Sequence, residues 1–187
     1  MSNMLAKRSS ALLMCLGLAG PALAQQLSIS ASPNPVQTGQ TFSVDVMISG
    51  ITDLYGYQFS LSFDPALLHA NSSSEGSFLS SAGSTFGDPG TIDNTGGMLS
   101  SAFYVLNGAV PGATGSGMLI HMSFTALAAG TATLNFSDVI FQNSALADIA
   151  VTAQPGTVAV TAVPEPASLA LLMAGLGFVA WRRRSAA

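Results

Sequence analysis

Between Gln25 and Val163 the chain contains neither lysine nor arginine. The five basic residues of its 187, Lys7, Arg8, Arg182, Arg183 and Arg184, all sit near one end or the other. Neutralising a phosphate backbone takes Lys and Arg, so this interior excludes nucleic-acid binding. Metal-free phosphate chemistry is excluded on the same ground. Intramolecular salt bridges are excluded too, unless His69 or His121 is protonated. Charged residues make up only 7% of the chain, against about 25% in an ordinary soluble domain. The interval still carries eight acids: Asp45, Asp53, Asp64, Glu75, Asp88, Asp93, Asp138 and Asp148. The single cysteine is Cys15 and the single tryptophan is Trp181. With 49% hydrophobic residues and a mean hydropathy of +0.50, the chain is too apolar to be disordered. Its length fits one domain of ordinary size.

The cationic ends read as addresses. Lys7 and Arg8 precede an apolar stretch from Ala11 to Gly20 and a small-x-small site at Ala22-Leu23-Ala24, the three parts of a secretory signal. Signal peptidase would cut after Ala24 and leave Gln25 first, making residues 1–24 the signal peptide. A lipoprotein would need a small residue before Cys15, where Met14 stands. Cleavage removes the only thiol, and with it disulfides, thiol catalysis and cysteine metal sites.

At the other end Val163-Pro164-Glu165-Pro166 leads into an apolar run, 167–181, and then Arg182-Arg183-Arg184. The prolines fix an extended tripeptide, and the Leu, Ala, Met and Phe beyond it favour one hydrophobic helix. Fifteen residues span roughly 22 Å, short of a hydrocarbon core of roughly 30 Å. Trp181 suits the interface, and the arginines suit a cytoplasmic anchor. Pro164, Glu165 and Pro166, the short apolar helix and the arginine cluster resemble the PEP-CTERM sorting signal of Gram-negative bacteria, here residues 163–187. The resemblance implies recognition by a membrane exosortase and processing near the tripeptide. An inner-membrane intermediate would then be delivered to the cell surface or an exopolysaccharide matrix. A permanent single-pass anchor is the alternative, since a marginal span holds where the bilayer thins.

The interval 25–162 alternates at period two. Phe42, Val44, Val46 and Ile48 oppose Ser43 and Asp45; Tyr55, Tyr57, Phe59, Leu61 and Phe63 oppose Gly56, Gln58, Ser60 and Ser62; Met118, Ile120, Met122, Phe124 and Ala126 oppose Leu119, His121, Ser123 and Thr125. Shorter runs lie at 27–31, 99–105, 131–136, 139–141 and 157–161. This is the signature of half-buried strands. Turn-rich segments separate them, at Ser32-Pro33-Asn34-Pro35, Asp64-Pro65, Gly83 to Gly97 and Gly108 to Gly117. The expected fold is all-β, two antiparallel sheets packed as a sandwich, with a short helical turn over Pro65 to Ala70.

Gly39-Gln40-Thr41-Phe42-Ser43-Val44-Asp45-Val46, then Leu54 through Phe63-Asp64-Pro65-Ala66-Leu67-Leu68, then Gly76-Ser77-Phe78-Leu79 and Gly117 to Phe124 resemble the cohesin domain over about residues 27–161. The resemblance implies a jelly-roll sandwich and a non-catalytic role binding a dockerin-like module on a polysaccharide-degrading partner. No dockerin-contacting residue is carried over. A carbohydrate-binding or structural matrix role through the domain's own surface is the alternative.

The inventory offers little for catalysis, and the chain reads as a non-enzyme that needs no cofactor. Two histidines stand without motif spacing. Glu75, in a Ser-rich stretch read as a loop, is the only glutamate before the sorting motif, whereas glycoside hydrolysis needs two facing carboxylates. Asp88, Asp93 and Asn94 are weak calcium candidates, and the same residue types serve turns for conformational reasons. Tyr55 and Tyr57 share the core parity of Phe59. Phe103 or Tyr104 is left to supply one stacking residue for a polysaccharide.

Overall fold

The computed structural model describes residues 25–163. Ala22 and Ala24, the motif Pro164, Glu165 and Pro166, the apolar run 167–181 and Arg182, Arg183 and Arg184 lie outside the described residues. The alternating runs form strands. β1 (Gln26–Ser32), β2 (Val36–Gln37) and β3 (Thr41–Ser62) lead to β4 (Leu68–Glu75) and a one-turn helix α1 (Ser77–Ser80). Then come β5 (Thr85–Asp88), β6 (Thr91–Asp93), β7 (Met98–Leu106), β8 (Ala113–Ala126), β9 (Gly130–Asn143), β10 (Thr152–Ala153) and β11 (Gly156–Thr161).

β3 belongs to both layers. Its first half, Thr41 to Ser49, pairs with β1 and β8; its second half, Gly56 to Ser62, pairs with β7 and β9. Between them the chain arches over, with Gly50 and Asp53 at φ 66° and 58°. An aspartate tolerates that left-handed backbone better than most residues. Here Asp53 is held by an accepted bond from the Gly112 N–H at 2.9 Å and one from the Ser144 hydroxyl at 2.7 Å. One sheet therefore runs β10-β1-β3-β8-β4, and the other runs β2-β11-β9-β3-β7, with β5 and β6 both on the far edge of β7. Pairing is antiparallel apart from two short parallel edge pairings, β1 with β10 and β11 with β2.

The apolar face of each sheet closes on the other. Phe63 meets Phe124 edge-on at 5.2 Å between ring centroids. Across the same interior the Tyr57 hydroxyl donates to the Leu119 carbonyl at 2.7 Å. β11 approaches β1 so closely that a Cβ on Gly156 would lie 2.6 Å from that of Ile29. Phe59, Phe124 and Phe141 are fully buried, each contributing about 1.5–3 kcal/mol by leaving water.

Four expectations change. The turn after Asp64 stops at Leu67, because Leu68 already pairs with Ala126 and opens β4. Glu75 is the last residue of β4, not part of a loop. The turn-rich stretch from Gly83 to Gly97 contains the edge strands β5 and β6, and that from Gly108 to Gly117 contains the start of β8. In each case a neighbouring strand supplied the ladder that serine- and glycine-rich segments do not announce.

The chain ends leave from opposite poles. Gln26 pairs with Ser49 beside the β3 arch. Val160 pairs with Gly130 beyond the far end of β8, and the Thr38 N–H donates to the Thr161 carbonyl.

Candidate functional site

The outer face of the second sheet is built from residues whose neighbours point inward. Tyr57, Tyr104 and Phe141 face the core, with ring centroids 6.0 to 6.1 Å apart. Burial, then the charge of Glu75, holds the Tyr57 phenol well above the ordinary tyrosine range. Burial, Glu75 and then Asp88 raise that of Tyr104. Both phenols are therefore neutral at physiological pH, and that of Tyr57 donates to the Leu119 carbonyl. The residues between them point outward and fall into two rows across four strands. One row is Phe86, Val105, Gly56 and Gln142; the other is Asp88, Phe103, Gln58 and Ile140.

Phe86 is 64% exposed and Ile140 46%, and the rings of Phe86 and Phe103 meet edge to face at 6.3 Å. Gly56 has no side chain to fill its place in the row. The result is an open groove of about 290 Å³ lined by Gly56, Gln58, Phe103, Val105, Ile140 and Gln142. A Cβ on Gly56 would lie 3.3 Å from Val105 Cγ2, so the glycine here supplies space. No formal charge stands within the groove, and Asp88 ends the second row at its edge. Beyond the other side, Asp148 accepts a bond from Gln142 Nε2 at 3.3 Å.

The calcium candidates have other partners. Asp88 Oδ1 accepts the Gly90 N–H at 2.7 Å, shaping the break between β5 and β6. Asp93 Oδ1 accepts the N–H groups of Thr95 and Gly96, and these bonds hold its carboxyl below the usual range. Asn94 pins the loop to β4 by accepting from the Ala70 N–H and donating to the Ala70 carbonyl. Among the described residues no group of three or more His, Cys, Asp or Glu is placed to hold a metal ion.

The histidines lie on the opposite sheet and have separate partners. His121 Nδ1 is 2.6 Å from Asp45 Oδ1 across β3 and β8, while His69 Nδ1 meets Asn71 Oδ1 at 3.3 Å. Asp45 and His121 sit in a row with Ser30 and Ser74, on a face that also carries Ser43, Ser123 and Thr125 and, nearer the arch, the Met47–Met118 pair. Sequence parity put His121 outward and missed its partner, because Asp45 is 76 residues away. Glu75 accepts from the Thr85 hydroxyl at 3.0 Å through one oxygen, and its other oxygen is buried without a partner. Tyr55 keeps its hydroxyl at the margin of the core, on the Gly108 carbonyl, whereas that of Tyr57 is buried between the sheets on the Leu119 carbonyl. Of the two stacking candidates, Phe103 faces outward and Tyr104 inward. Phe86 and Ile140 were not singled out. Phe86 lies in Thr85-Phe86-Gly87-Asp88, inside the glycine-rich stretch that reads as a turn, and Ile140 in the all-apolar run 139–141, which has no period to show its side.

The cohesin domain family model matches residues 26–160, most of the chain. The chain belongs to the cohesin family. A second model, the PEP-CTERM protein-sorting motif, matches residues 162–184. That motif implies export and exosortase-mediated sorting to the cell surface in Gram-negative bacteria. No curated protein matches the chain. Solved structures similar to this cohesin include the second type II cohesin module of the ScaA scaffoldin of Acetivibrio cellulolyticus. It is 21% identical, has a TM-score of 0.62, and the match covers 73% of this chain and 96% of that one. A non-cellulosomal cohesin from the archaeon Archaeoglobus fulgidus is 14% identical at a TM-score of 0.58, covering 78% and 95%. The Coh-OlpA–Doc918 type I cohesin–dockerin complex of Clostridium thermocellum matches at 11% identity and a TM-score of 0.60, covering 74% and 99%. At these identities the likeness is one of fold. Membership of the cohesin family, shown by the family model, makes the sandwich one of a family of non-catalytic binding modules.

Proposed function

We propose that this cohesin is an exported, non-catalytic binding module that docks a protein partner of dockerin type on the outer face of its second sheet. The observation carrying this reading is the uncharged groove at Gly56, flanked by exposed Phe86 and Ile140. Single exposed apolar residues are ordinary, but a patch with aromatic anchors around a recess is what a protein side chain fills. The groove is open and its lining carries no charge, which favours a protein side chain over an enclosed cofactor. Signal peptidase would release Gln25 by cutting after Ala24. The segment 167–181 would hold the inner-membrane intermediate with Arg182 to Arg184 in the cytoplasm, and an exosortase would process the chain at Pro164-Glu165-Pro166. Eight acids and no base then give the product a formal charge of −8, which keeps it soluble.

The test is binding of residues 25–163 to a panel of dockerin modules, with the double variant Phe86→Ala, Ile140→Ser alongside. Loss of two interface anchors is expected to weaken binding at least tenfold, about 1.4 kcal/mol or more. Equal binding by wild type and variant would place the interface elsewhere.

A second reading rests on the other sheet, whose outer face presents Ser30, Ser43, Ser74, Ser123 and Thr125 around Asp45 and His121. Hydroxyls on a flat face suit extracellular polysaccharide, as a carbohydrate-binding or structural matrix role requires. Retention on polysaccharide with no dockerin bound would favour it.

A further inference from the structure

The pole from which the C-terminus leaves is assembled from four turns. The Gly39 N–H donates to the Ala126 carbonyl, the Leu127 N–H to the Leu67 carbonyl, the Phe63 N–H to the Gly97 carbonyl and the Thr38 N–H to the Thr161 carbonyl. These bonds gather the turns at 37–40, 64–67, 94–97 and 127–130 around the end of β11. The turns at 37–40 and 94–97 present Gln37, Gln40 and Thr95 to water, whereas those at 64–67 and 127–130 are small or apolar apart from the exposed Asp64. Pro65, Ala66, Ala128 and Ala129 are exposed, Leu127 is 45% exposed and Val163 55%. Leu67 lies on Gly130, where a Cβ would come within 3.1 Å of its Cδ2. The acids here are occupied by their own turns: Asp64 accepts the Ala66 N–H at 2.9 Å, and Asp93 caps Thr95 and Gly96.

Five residues, 162 to 166, separate Thr161, the last residue bonded into this pole, from the apolar run that begins at Ala167. Fully extended, the step from Thr161 to Ala167 reaches about 20 Å. This holds whatever their conformation, because extension is the upper bound. Resting on the reading of 167–181 as a membrane-inserted segment, we infer that the turns at 64–67 and 127–130 are a lipid-facing surface. They would bear on the headgroup layer while the precursor is tethered, with the strands upright on the bilayer. Small and apolar tips suit that contact, since they have little polar surface to desolvate, and a tether of at most about 20 Å keeps them close to the headgroup layer. Both sheet faces then stand perpendicular to the membrane, so the Gly56 groove is open to a partner before processing. The β3 arch and the Asn143–Ala147 turn point away, roughly 40 Å off by the 14 residues of β8.

The domain's freedom from cysteine makes this measurable with single probes. The full chain carrying Cys15→Ser is expressed through the secretory route of a host without an exosortase and reconstituted in phosphatidylcholine nanodiscs with headgroup or acyl-chain spin labels. A fluorophore is placed at Ala66→Cys, Ala128→Cys, Leu146→Cys or Ala174→Cys. Loss of fluorescence to the headgroup label is expected at 66 and 128 and not at 146. Loss to the acyl-chain label is expected at 174. Quenching at 174 with none at 66 and 128, or equal quenching at 146 and 128, overturns the orientation and leaves the tail reading standing. No quenching at 174 overturns the tail reading and the orientation with it.

Discussion

Replacing Tyr57 by phenylalanine removes one oxygen from the contact that joins the two sheets, and the structure sets the size of the effect. Tyr57 is 4% exposed, and its hydroxyl donates to the Leu119 carbonyl at 2.7 Å. That carbonyl also accepts the Gly76 N–H at 2.7 Å. Tyr57→Phe therefore leaves the carbonyl bonded, and the loss is the net worth of one hydrogen bond, about 1 kcal/mol, without the further 1–3 kcal/mol of an orphaned acceptor. For residues 25–163 this is a fall of about 3 °C in Tm. The ring stays in its stack with Phe59 and Phe141, at 5.9 and 6.0 Å. Tyr57→Ala, which loses the ring as well, is expected to cost about 3–5 kcal/mol. Urea denaturation should show a lower midpoint for Tyr57→Phe at an unchanged m-value. The pH dependence gives a second reading. The folded phenol is raised above its ordinary value near 10, so above that pH the unfolded chain releases a proton that the folded chain keeps. Tyr57 thus contributes stability below pH ~10 that is lost as pH rises, and the deficit of Tyr57→Phe should shrink there. A loss above about 3 kcal/mol, or a deficit that widens in alkali, would refute the assignment of the bond and its shared acceptor.

Three further outcomes follow from single sites. Gly87→Ala puts a Cβ 2.1 Å from the Phe103 carbonyl oxygen, so the β5 edge must part from β7. A loss of about 1–3 kcal/mol, with faster amide exchange at Phe103 and Leu106, is expected. Asp53 accepts bonds from Ser144 and Gly112 that lower its pKa, so it stabilises the fold above the ordinary carboxylate range and less as pH falls through it. Asp53→Asn should flatten the acid side of the stability profile measured by denaturation. Changing Pro164, Glu165 and Pro166 to alanine in an exosortase-bearing host should leave the unprocessed, membrane-retained form on a gel. An unchanged size and location would contradict processing at the tripeptide.

How far the fold was legible depends on how each strand is buried. In Phe42–Ile48, Tyr57–Phe63 and Ile120–Ala126 one face is wholly apolar, so period two declares the strand and its orientation; at Met118 and Leu119 a register shift breaks the period, and Leu119, expected on the polar face, is fully buried. β4 reads Leu-His-Ala-Asn-Ser-Ser-Ser-Glu, with too few apolar positions to show any period. It is a strand because β8 offers it an edge. β5 and β6 are broken by Pro89 and Gly90, and their pairing with β7 is a tertiary fact. The candidate site suffered most from this. Its anchors Phe86 and Ile140 are apolar residues on the water-facing side, and an apolar residue carries no local mark of which side it takes. Gly56 was read correctly as an outward position, but a missing side chain becomes a groove only when Val105 and Gln142 stand on either side of it.

By itself the sequence determined the charge, the C-terminal sorting motif and the class of fold. Basic residues confined to the ends, the Pro-Glu-Pro tripeptide and period-two alternation are local properties, settled by residue chemistry and spacing within about ten positions. The tertiary structure alone decided which edges pair and how β3 divides itself between two sheets. It brought Asp45 to His121, opened the groove at Gly56, and set the pole of apolar turns beside the departing C-terminus. Each of these rests on contacts between segments tens of residues apart, whose placement is fixed only when two amphipathic sheets bury their apolar faces against each other.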